Sequence, residues 1–134
     1  MPKTTLRWVK DKQFVGTDGR NHSVVLSGDD PAQGVSPSQM LLIALSACSA
    51  YDVVAIMTKR RKPLTHLEVV ANGEQADEPP WAYQEIHLIY RLAGENLTDK
   101  EVVRAIELSQ QKYCSVAATV RGVAKITYAY EILP

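Results

Sequence analysis

The N-terminal part of the chain alternates between apolar and polar residues in short runs, a pattern typical of half-buried β-strands. Asp18-Gly19 separates two of these runs and favours a hairpin turn, because both turn positions must tolerate a positive φ. Residues 27–31 contain glycine, aspartates and proline, which predicts a loop. Together these signals predict a small meander of three strands, with runs at residues 6–10, 13–16 and 23–26.

The next stretch carries signals for both ends of a long helix. Ser36 is a suitable N-cap, Pro37 fits the first helical position, and Gln39 completes a Ser-x-x-Gln capping box. At the other end, the four basic residues 59–62 favour a helix C-terminus, and Pro63 stops the helix. We therefore predict a helix that begins close to Pro37 and ends before Pro63.

Between residues 40 and 57 this helix is apolar at every position except Ser46, Ser49 and Asp52. A helix that is apolar on nearly every side is either buried in a fold or spans a membrane. The run is barely long enough to span a bilayer, and Asp52 near its middle would cost about 3 kcal/mol there. The pattern therefore favours a buried central helix covered by a β-sheet over a membrane span.

The C-terminal half mixes strands with a second helix. Thr98 and Glu101 form another capping box, which predicts a helix that runs to about Lys112, and segment 115–120 adds a short helical turn. Alternation predicts strands at residues 65–74 and 83–92 before that helix, and a final strand at residues 124–132 after it. The order of three strands, buried helix, two strands, helix and strand indicates one α+β domain over residues 1–134.

Composition narrows the classes of function. The chain has 134 residues, of which 46% are hydrophobic and 22% charged, as is typical of one globular domain. Lys and Arg (15) balance Asp and Glu (15), so the positive excess of a nucleic-acid binder is missing. The first residues form no apolar signal sequence, and two cysteines are too few for a disulfide scaffold. We therefore expect a cytoplasmic protein with reduced cysteines that binds neither nucleic acid nor a membrane.

The candidate chemistry rests on the two cysteines. The histidines His22, His66 and His87 have no partners at metal-ligand spacing, so no metal site is expected. Cys48 lies in the apolar helix among small residues, and Cys114 lies just after the second helix. By itself, a cysteine in an apolar helix is more often a small inert hydrophobe than a nucleophile. The spacing in sequence does not show whether the two sulfurs meet.

The two segments that contain these cysteines resemble a known family. Residues 36–54 resemble the helix signature of the OsmC/Ohr superfamily of osmotically inducible and organic hydroperoxide resistance proteins. Residues 112–119 match the segment around the second thiol of that family, and the likeness covers essentially the whole chain. The resemblance implies an OsmC-like fold that forms an intertwined α+β homodimer, with two active sites at the subunit interface.

The resemblance also implies an activity, that of a thiol peroxidase. Cys48 is expected to attack an organic hydroperoxide as a thiolate and become a sulfenic acid, which Cys114 then captures as a disulfide. A dithiol reductant, in this family often a lipoyl group on a protein, would reduce that disulfide. No metal, haem or flavin is expected as a cofactor.

The segments before Cys48 depart from the peroxidase pattern. Established peroxidases of the family carry a glutamate at the position of Ser38, and related uncharacterised branches carry an acid at the position of Gln39. That acid holds an activating arginine, for which Arg20 is the nearest match and Arg7 a poorer alternative. The chain therefore lacks a carboxylate at either place to hold an arginine near the thiol.

Two further positions resemble the uncharacterised OsmC-like branch more than the established peroxidases. The Cys-Pro of the family's second motif is Cys114-Ser115 here, and Asp52 lies one turn after Cys48. A negative charge so close is expected to raise the pKa of a thiol unless a cation neutralises it. These departures predict a less stabilised thiolate and weak turnover.

The residues support three hypotheses of different classes. The first is a cysteine-dependent reductase of organic hydroperoxides, which matches the two thiols and the apolar surroundings of Cys48. The second is a non-catalytic module that binds a small apolar ligand or senses redox state, which the loss of the acid at Ser38 and Gln39 favours. The third is a pair of buried thiols with a purely structural role. We take the first as the leading hypothesis and the second as its alternative.

Overall fold

The computed structural model describes residues 1–29 and 32–134, which divide into two compact units, Met1–Leu41 and Leu42–Pro134. Asp30 and Pro31, the end of the predicted loop, lie outside the described residues. The elements in chain order are strands β1 (Thr5–Lys10), β2 (Gln13–Thr17) and β3 (Ser23–Ser27), helix α1 (Pro37–Lys59), strands β4 (Leu64–Gln75) and β5 (Tyr83–Gly94), helix α2 (Asp99–Leu108), a π-helical turn (Ser109–Tyr113), helix α3 (Ser115–Val120) and strand β6 (Lys125–Ile132). This order confirms the predicted α+β succession.

The first unit contains the predicted meander, an antiparallel sheet in the order β1-β2-β3. Between β2 and β3 the Asp18 carboxylate accepts the backbone N–H groups of Arg20, at 2.8 Å, and His22, at 2.9 Å. The left-handed residue of this turn is Asn21, with a φ of 65°, and neither Asp18 nor Gly19 has a positive φ. The hairpin is therefore present, but the expectation of a positive φ at both residues is wrong, because an Asp side chain closes a longer turn.

Helix α1 begins at the predicted position and ends four residues before Pro63 (63 − 59). Arg61 adopts a left-handed conformation with a φ of 60°. Its N–H donates to the Thr58 carbonyl at 3.0 Å, and the Lys62 N–H donates to the Met57 carbonyl at 2.9 Å. These two hydrogen bonds form a Schellman motif, a common way to end a helix. The helix therefore ends through its own backbone geometry, before the proline is reached.

One stripe of α1 enters the protein core. The fully buried residues are spaced four apart and are Leu45, Ser49, Val53 and Met57. The opposite side of the helix is exposed and includes Ile43, Ala47, Tyr51 and Val54. The helix is long enough and apolar enough to cross a membrane, but the core helices of soluble proteins can have the same length and composition. Within a single chain, α1 is therefore buried along one stripe, as predicted for a helix that packs against the sheet, and exposed on the opposite side.

The second unit is built on the sheet β4-β5-β6. Strand β4 pairs antiparallel with β5, whereas β5 and β6 run parallel. A parallel pair needs a long crossover connection, and helices α2 and α3 occupy it. The predicted apolar face of β5 is confirmed, since its four members are fully buried: Ile86, Leu88, Tyr90 and Leu92. The core forms from this face, the buried stripe of α1 and the inner side of α2.

Helix α2 begins at the predicted capping box. The Glu101 N–H donates to the Thr98 hydroxyl at 3.3 Å, and this hydroxyl donates to a Glu101 carboxylate oxygen at 2.7 Å. The α-helical pattern ends at Leu108, and the π turn continues the helix to Tyr113, close to the predicted end at about Lys112. Across the π turn, the Cys114 N–H donates to the carbonyl of Ser109 at 2.7 Å. Turns of this kind are frequent at functional sites, and this one leads directly into Cys114.

Candidate active site

The structure brings the two cysteines together. Cys48 lies half-buried in α1, and Cys114 is buried at the N-cap of α3. Both are free thiols, and a hydrogen bond joins their side chains across 66 positions of sequence (114 − 48). The Cys114 sulfur also accepts the Ala117 backbone N–H at 3.3 Å, which fixes this sulfur at the start of α3. The two sulfurs are therefore neighbours in the fold, which the sequence spacing left open.

Hydrogen-bond donors from three consecutive residues surround the Cys48 sulfur. Partial burial opposes ionisation of this thiol, but the Cys114 thiol, the Val116 backbone N–H and both the hydroxyl and the N–H of Ser115 bond to the sulfur. These hydrogen bonds outweigh burial and lower the pKa of Cys48 from its usual value of 9.0. Cys48 is therefore the thiol that ionises first.

The surroundings of Cys114 act in the opposite direction. Burial is the largest cause, and the hydrogen bond with Cys48 adds to it, so that the pKa of Cys114 is raised to about 11. Near neutral pH, Cys114 keeps its proton and donates it in a hydrogen bond. The pair is asymmetric, and Cys48 is the better nucleophile because only its thiolate is accessible at ordinary pH.

Asp52 does not affect Cys48 as we expected from the sequence. Its carboxylate accepts the hydroxyl of Ser109 at 2.8 Å. Burial does raise the pKa of Cys48, but the hydrogen bonds directed at its sulfur more than offset burial, and the resulting pKa is lowered. The expectation that Asp52 leaves Cys48 with a raised pKa is therefore wrong.

Asp52 is one end of a series of polar side chains beside the thiols that sequence reasoning missed. Ser49 Oγ lies 2.6 Å from Tyr90 Oη and 3.0 Å from Ser109 Oγ, and the Gln110 side-chain amide donates to Tyr90 Oη at 3.0 Å. We call Gln110, Tyr90, Ser49, Ser109 and Asp52 the hydroxyl chain. One signal in the sequence pointed to it, since a serine in the middle of a buried apolar stripe needs a polar partner.

The remaining predicted residues lie in the first unit, whereas both thiols lie in the second. Arg20 is an exposed residue of the β2–β3 turn, and Arg7 is an exposed residue of β1. Ser38 and Gln39 are exposed in the first turn of α1, ten and nine positions before Cys48 (48 − 38 and 48 − 39). The donors that lower the pKa of Cys48 come instead from the start of α3.

Across residues 1–29 and 32–134, no group of three or more His, Cys, Asp or Glu side chains is arranged to hold a metal ion. The groups that meet around Cys48 and Cys114 are two thiols, hydroxyls, backbone N–H groups and one carboxylate. Such a set can make one sulfur nucleophilic and offer it a second sulfur as a partner.

The fold agrees with the comparison to known proteins. The family model described as OsmC-like protein matches residues 28–129, so the chain belongs to the OsmC-like family. Protein YhfA of Escherichia coli K12 is 35% identical over 128 residues, which cover 96% of each chain. The OsmC-like protein of Mycoplasma pneumoniae has a TM-score of 0.86 at 18% identity, over 100% of this chain and 98% of the other. The organic hydroperoxide resistance protein OhrB of Bacillus subtilis has a TM-score of 0.64 at 12% identity, over 98% of each chain. The resemblance found in the sequence and the predicted OsmC-like fold are both confirmed.

Proposed function

We propose that this protein reduces organic hydroperoxides with its own thiols, as part of the defence against oxidative stress. The observation that carries the proposal is the asymmetric pair, in which a hydrogen bond joins an acidic Cys48 thiol to a Cys114 thiol that keeps its proton. A thiolate is the form that attacks a peroxide, and an adjacent thiol resolves the oxidised product. Family membership supports this chemistry, since structural neighbours include proteins named for organic hydroperoxide resistance.

In the proposed reaction the Cys48 thiolate attacks the terminal oxygen of the hydroperoxide, and the O–O bond breaks. The departing alkoxide takes a proton from water and leaves as an alcohol, while Cys48 becomes a sulfenic acid. The Cys114 sulfur then attacks the Cys48 sulfur, and the sulfenic hydroxyl leaves with the Cys114 proton as water. The hydroperoxide gains two electrons, which the two thiols lose as they form one disulfide.

Ser115 and Val116 support the first step in this chain. The Cys-Pro of the family motif offers no N–H and no hydroxyl at its second residue, because proline lacks both. Ser115 directs both groups at Cys48, and Val116 adds a further N–H. We infer that these donors stabilise the thiolate in place of the acid that Ser38 and Gln39 do not supply.

Turnover needs an external dithiol, for which the family resemblance favours a lipoyl group on a protein. Exchange of that dithiol with the Cys48–Cys114 disulfide would restore both thiols and oxidise the reductant. We place the reaction in the cytoplasm, where reducing conditions keep both cysteines free.

We also propose that the functional unit is a homodimer. Tyr51 on the outer side of α1 is 76% exposed in the single chain, and Leu6 and Trp8 of β1 are 62% and 67% exposed. Exposed apolar side chains of this size are typical of an interface that a partner covers. The family resemblance gives the same expectation, a dimer with its two sites at the subunit interface.

The alternative function is a module that binds a small apolar ligand or senses redox state without turnover. The observation that favours it is the absence of an acid at Ser38 and Gln39, which leaves no carboxylate there to hold an arginine near the thiol. In that case Cys48 and Cys114 would still exchange with disulfides, but an organic hydroperoxide would oxidise them no faster than it oxidises free cysteine.

A stoichiometric titration of the reduced protein with cumene hydroperoxide tests the proposal, with free thiols counted before and after. We expect two thiols to disappear for each hydroperoxide consumed. Cys48→Ser should abolish consumption, whereas Cys114→Ser should allow a single turnover and accumulate a sulfenic acid on Cys48. If the wild-type thiols react no faster than free cysteine, the peroxidase proposal is wrong and the binding module takes its place.

A further inference from the structure

The hydroxyl chain has no part in the reaction derived above, yet it is connected to both cysteines. Ser49 directly follows Cys48 in α1, so the chain begins beside the first thiol. Ser109 opens the π turn, and its carbonyl accepts the Cys114 N–H at 2.7 Å. Ser109 therefore links the two segments that carry the sulfurs, because its hydroxyl bonds to α1 and its carbonyl bonds to Cys114.

The hydrogen bonds of this chain meet at the Ser109 hydroxyl. This hydroxyl faces three acceptors: the Asp52 carboxylate at 2.8 Å, the Ser49 hydroxyl at 3.0 Å and the Ser49 carbonyl at 3.4 Å. Ser49 Oγ in turn lies 2.6 Å from Tyr90 Oη, and the Gln110 amide donates to Tyr90 Oη at 3.0 Å. Successive hydrogen bonds in a connected series of this kind strengthen one another.

The middle of the hydroxyl chain is shielded from water. Ser49, Tyr90 and Ser109 are fully buried, so no solvent molecule replaces a hydrogen bond that is lost there. Burial is also the largest cause of the raised pKa of Tyr90, whose hydroxyl therefore stays protonated and able to donate. A buried and fully paired chain of this kind resists local movement of the π turn relative to α1.

We propose that Ser109, held by the hydroxyl chain, is a positioning residue that sets the separation of the Cys48 and Cys114 sulfurs. The inference rests on the proposed function, because it concerns how readily Cys114 captures a sulfenic acid on Cys48. While the Ser109 hydroxyl is bonded to Asp52 and Ser49, the π turn is tied to the part of α1 that carries Cys48. Disulfide formation then needs little movement of Cys114, and loss of the tie lets the second sulfur move away.

Equilibration of the thiol pair with dithiothreitol measures this positioning without any hydroperoxide. We expect Ser109→Ala to lower the effective concentration of the two thiols by about tenfold, which makes the reduction potential about 30 mV less negative. Tyr90→Phe should act in the same direction but by less, because it breaks the chain one step further from Cys114. Tyr128→Phe is the matched control: it removes a tyrosine hydroxyl of the neighbouring strand that bonds to Glu107, and should leave the potential unchanged.

The inference is wrong if Ser109→Ala folds and keeps the wild-type potential. It is also wrong if Tyr128→Phe shifts the potential as much as Tyr90→Phe, since the effect is then a general loss of packing. Should Ser109→Ala fail to fold, the two Phe variants decide, because each keeps its ring, and an unchanged potential in Tyr90→Phe overturns the inference. If the wild-type protein does not react with hydroperoxides but the variants show the expected order of reduction potentials, the proposed function is refuted and the positioning role of Ser109 is retained.

Discussion

Replacing Ser115 with proline restores the family motif and removes two donors from Cys48 at once. Proline has neither an N–H nor a hydroxyl to offer the sulfur. The backbone accepts the change, because Ser115 is the first residue of α3, a position that proline favours. Cys114 before it is already extended, with φ −76° and ψ 108°, as a residue preceding proline should be. The substitution therefore tests the donors without breaking the helix.

The expected effect on Cys48 follows from the strength of these hydrogen bonds. A hydrogen bond to a charged group contributes about 1.5–3 kcal/mol, and the exposed position of Ser115 reduces that contribution. We take about 1.4 kcal/mol for both donors together, which raises the pKa of Cys48 by about one unit. At a pH below both pKa values, the thiolate population falls about tenfold. The less acidic thiol gives a thiolate that is about threefold more nucleophilic, so the net loss of rate is about threefold.

The measurement is the rate of thiol exchange with an aromatic disulfide between about pH 6 and pH 10. Ser115→Pro should react more slowly than the wild type at low pH and faster above its own pKa, so the two profiles cross. Ser115→Ala keeps the N–H and should fall between them. Thr119→Ala is the control, since it removes a hydroxyl of α3 that bonds to the Ser115 carbonyl, and should follow the wild type. Coincident profiles for Ser115→Pro and the wild type would mean that these donors do not set the acidity of Cys48.

Three further predictions test the site and the assembly. The pKa of Cys48 is lowered and that of Cys114 is about 11. Iodoacetamide should therefore label Cys48 increasingly as the pH rises toward 9, and should leave Cys114 unlabelled until the pH nears 11. Equal labelling of the two cysteines at pH 8 would contradict this difference in acidity. Ser38→Glu or Gln39→Glu should raise hydroperoxide turnover by about ten- to a hundredfold if the restored hydrogen bond to an arginine is fully felt in the transition state, and no gain would count against that acid. Sedimentation at micromolar concentration should give a mass near twice 14.8 kDa, whereas a well-folded monomer would contradict both the dimer and an interfacial site.

Local sequence patterns predicted the helices and strands of this fold more reliably than they predicted which strands pair with one another. The alternation in residues 83–92 and the capping box of Thr98 and Glu101 depend on neighbours in sequence, and the structure confirms both. The same alternation suits an antiparallel or a parallel neighbour, so the parallel pairing of β5 with β6 leaves no local signal. The apolar pattern of α2 likewise does not distinguish an α-helical from a π-helical last turn, so the helix ends near the predicted Lys112 but its last turn is of a type that the sequence did not predict.

The candidate site was predictable as a set of residues but not as an arrangement. The family resemblance singled out Cys48 and Cys114, and only the fold brings their sulfurs into contact. The sequence pointed to Asp52 as a disturbing charge, whereas its carboxylate is bonded to Ser109, 57 positions away (109 − 52). Hydrogen bonds between segments so far apart leave no local pattern, so the hydroxyl chain was missed.

The π turn before Cys114 makes the direction of the second sulfur depend on a local hydrogen-bond pattern. A π-helical hydrogen bond closes over five residues where an α-helical one closes over four, so the turn holds one residue more than an α-helix would for the same rotation. If Ser109–Tyr113 kept its five residues but became α-helical, the following chain would rotate by about 100° about the helix axis. Both cysteines, Ser115 and Val116 would still be present, but the second sulfur would no longer face the first. A change in the hydrogen-bond pattern of this one segment is therefore enough to turn a two-thiol site into two separate cysteines.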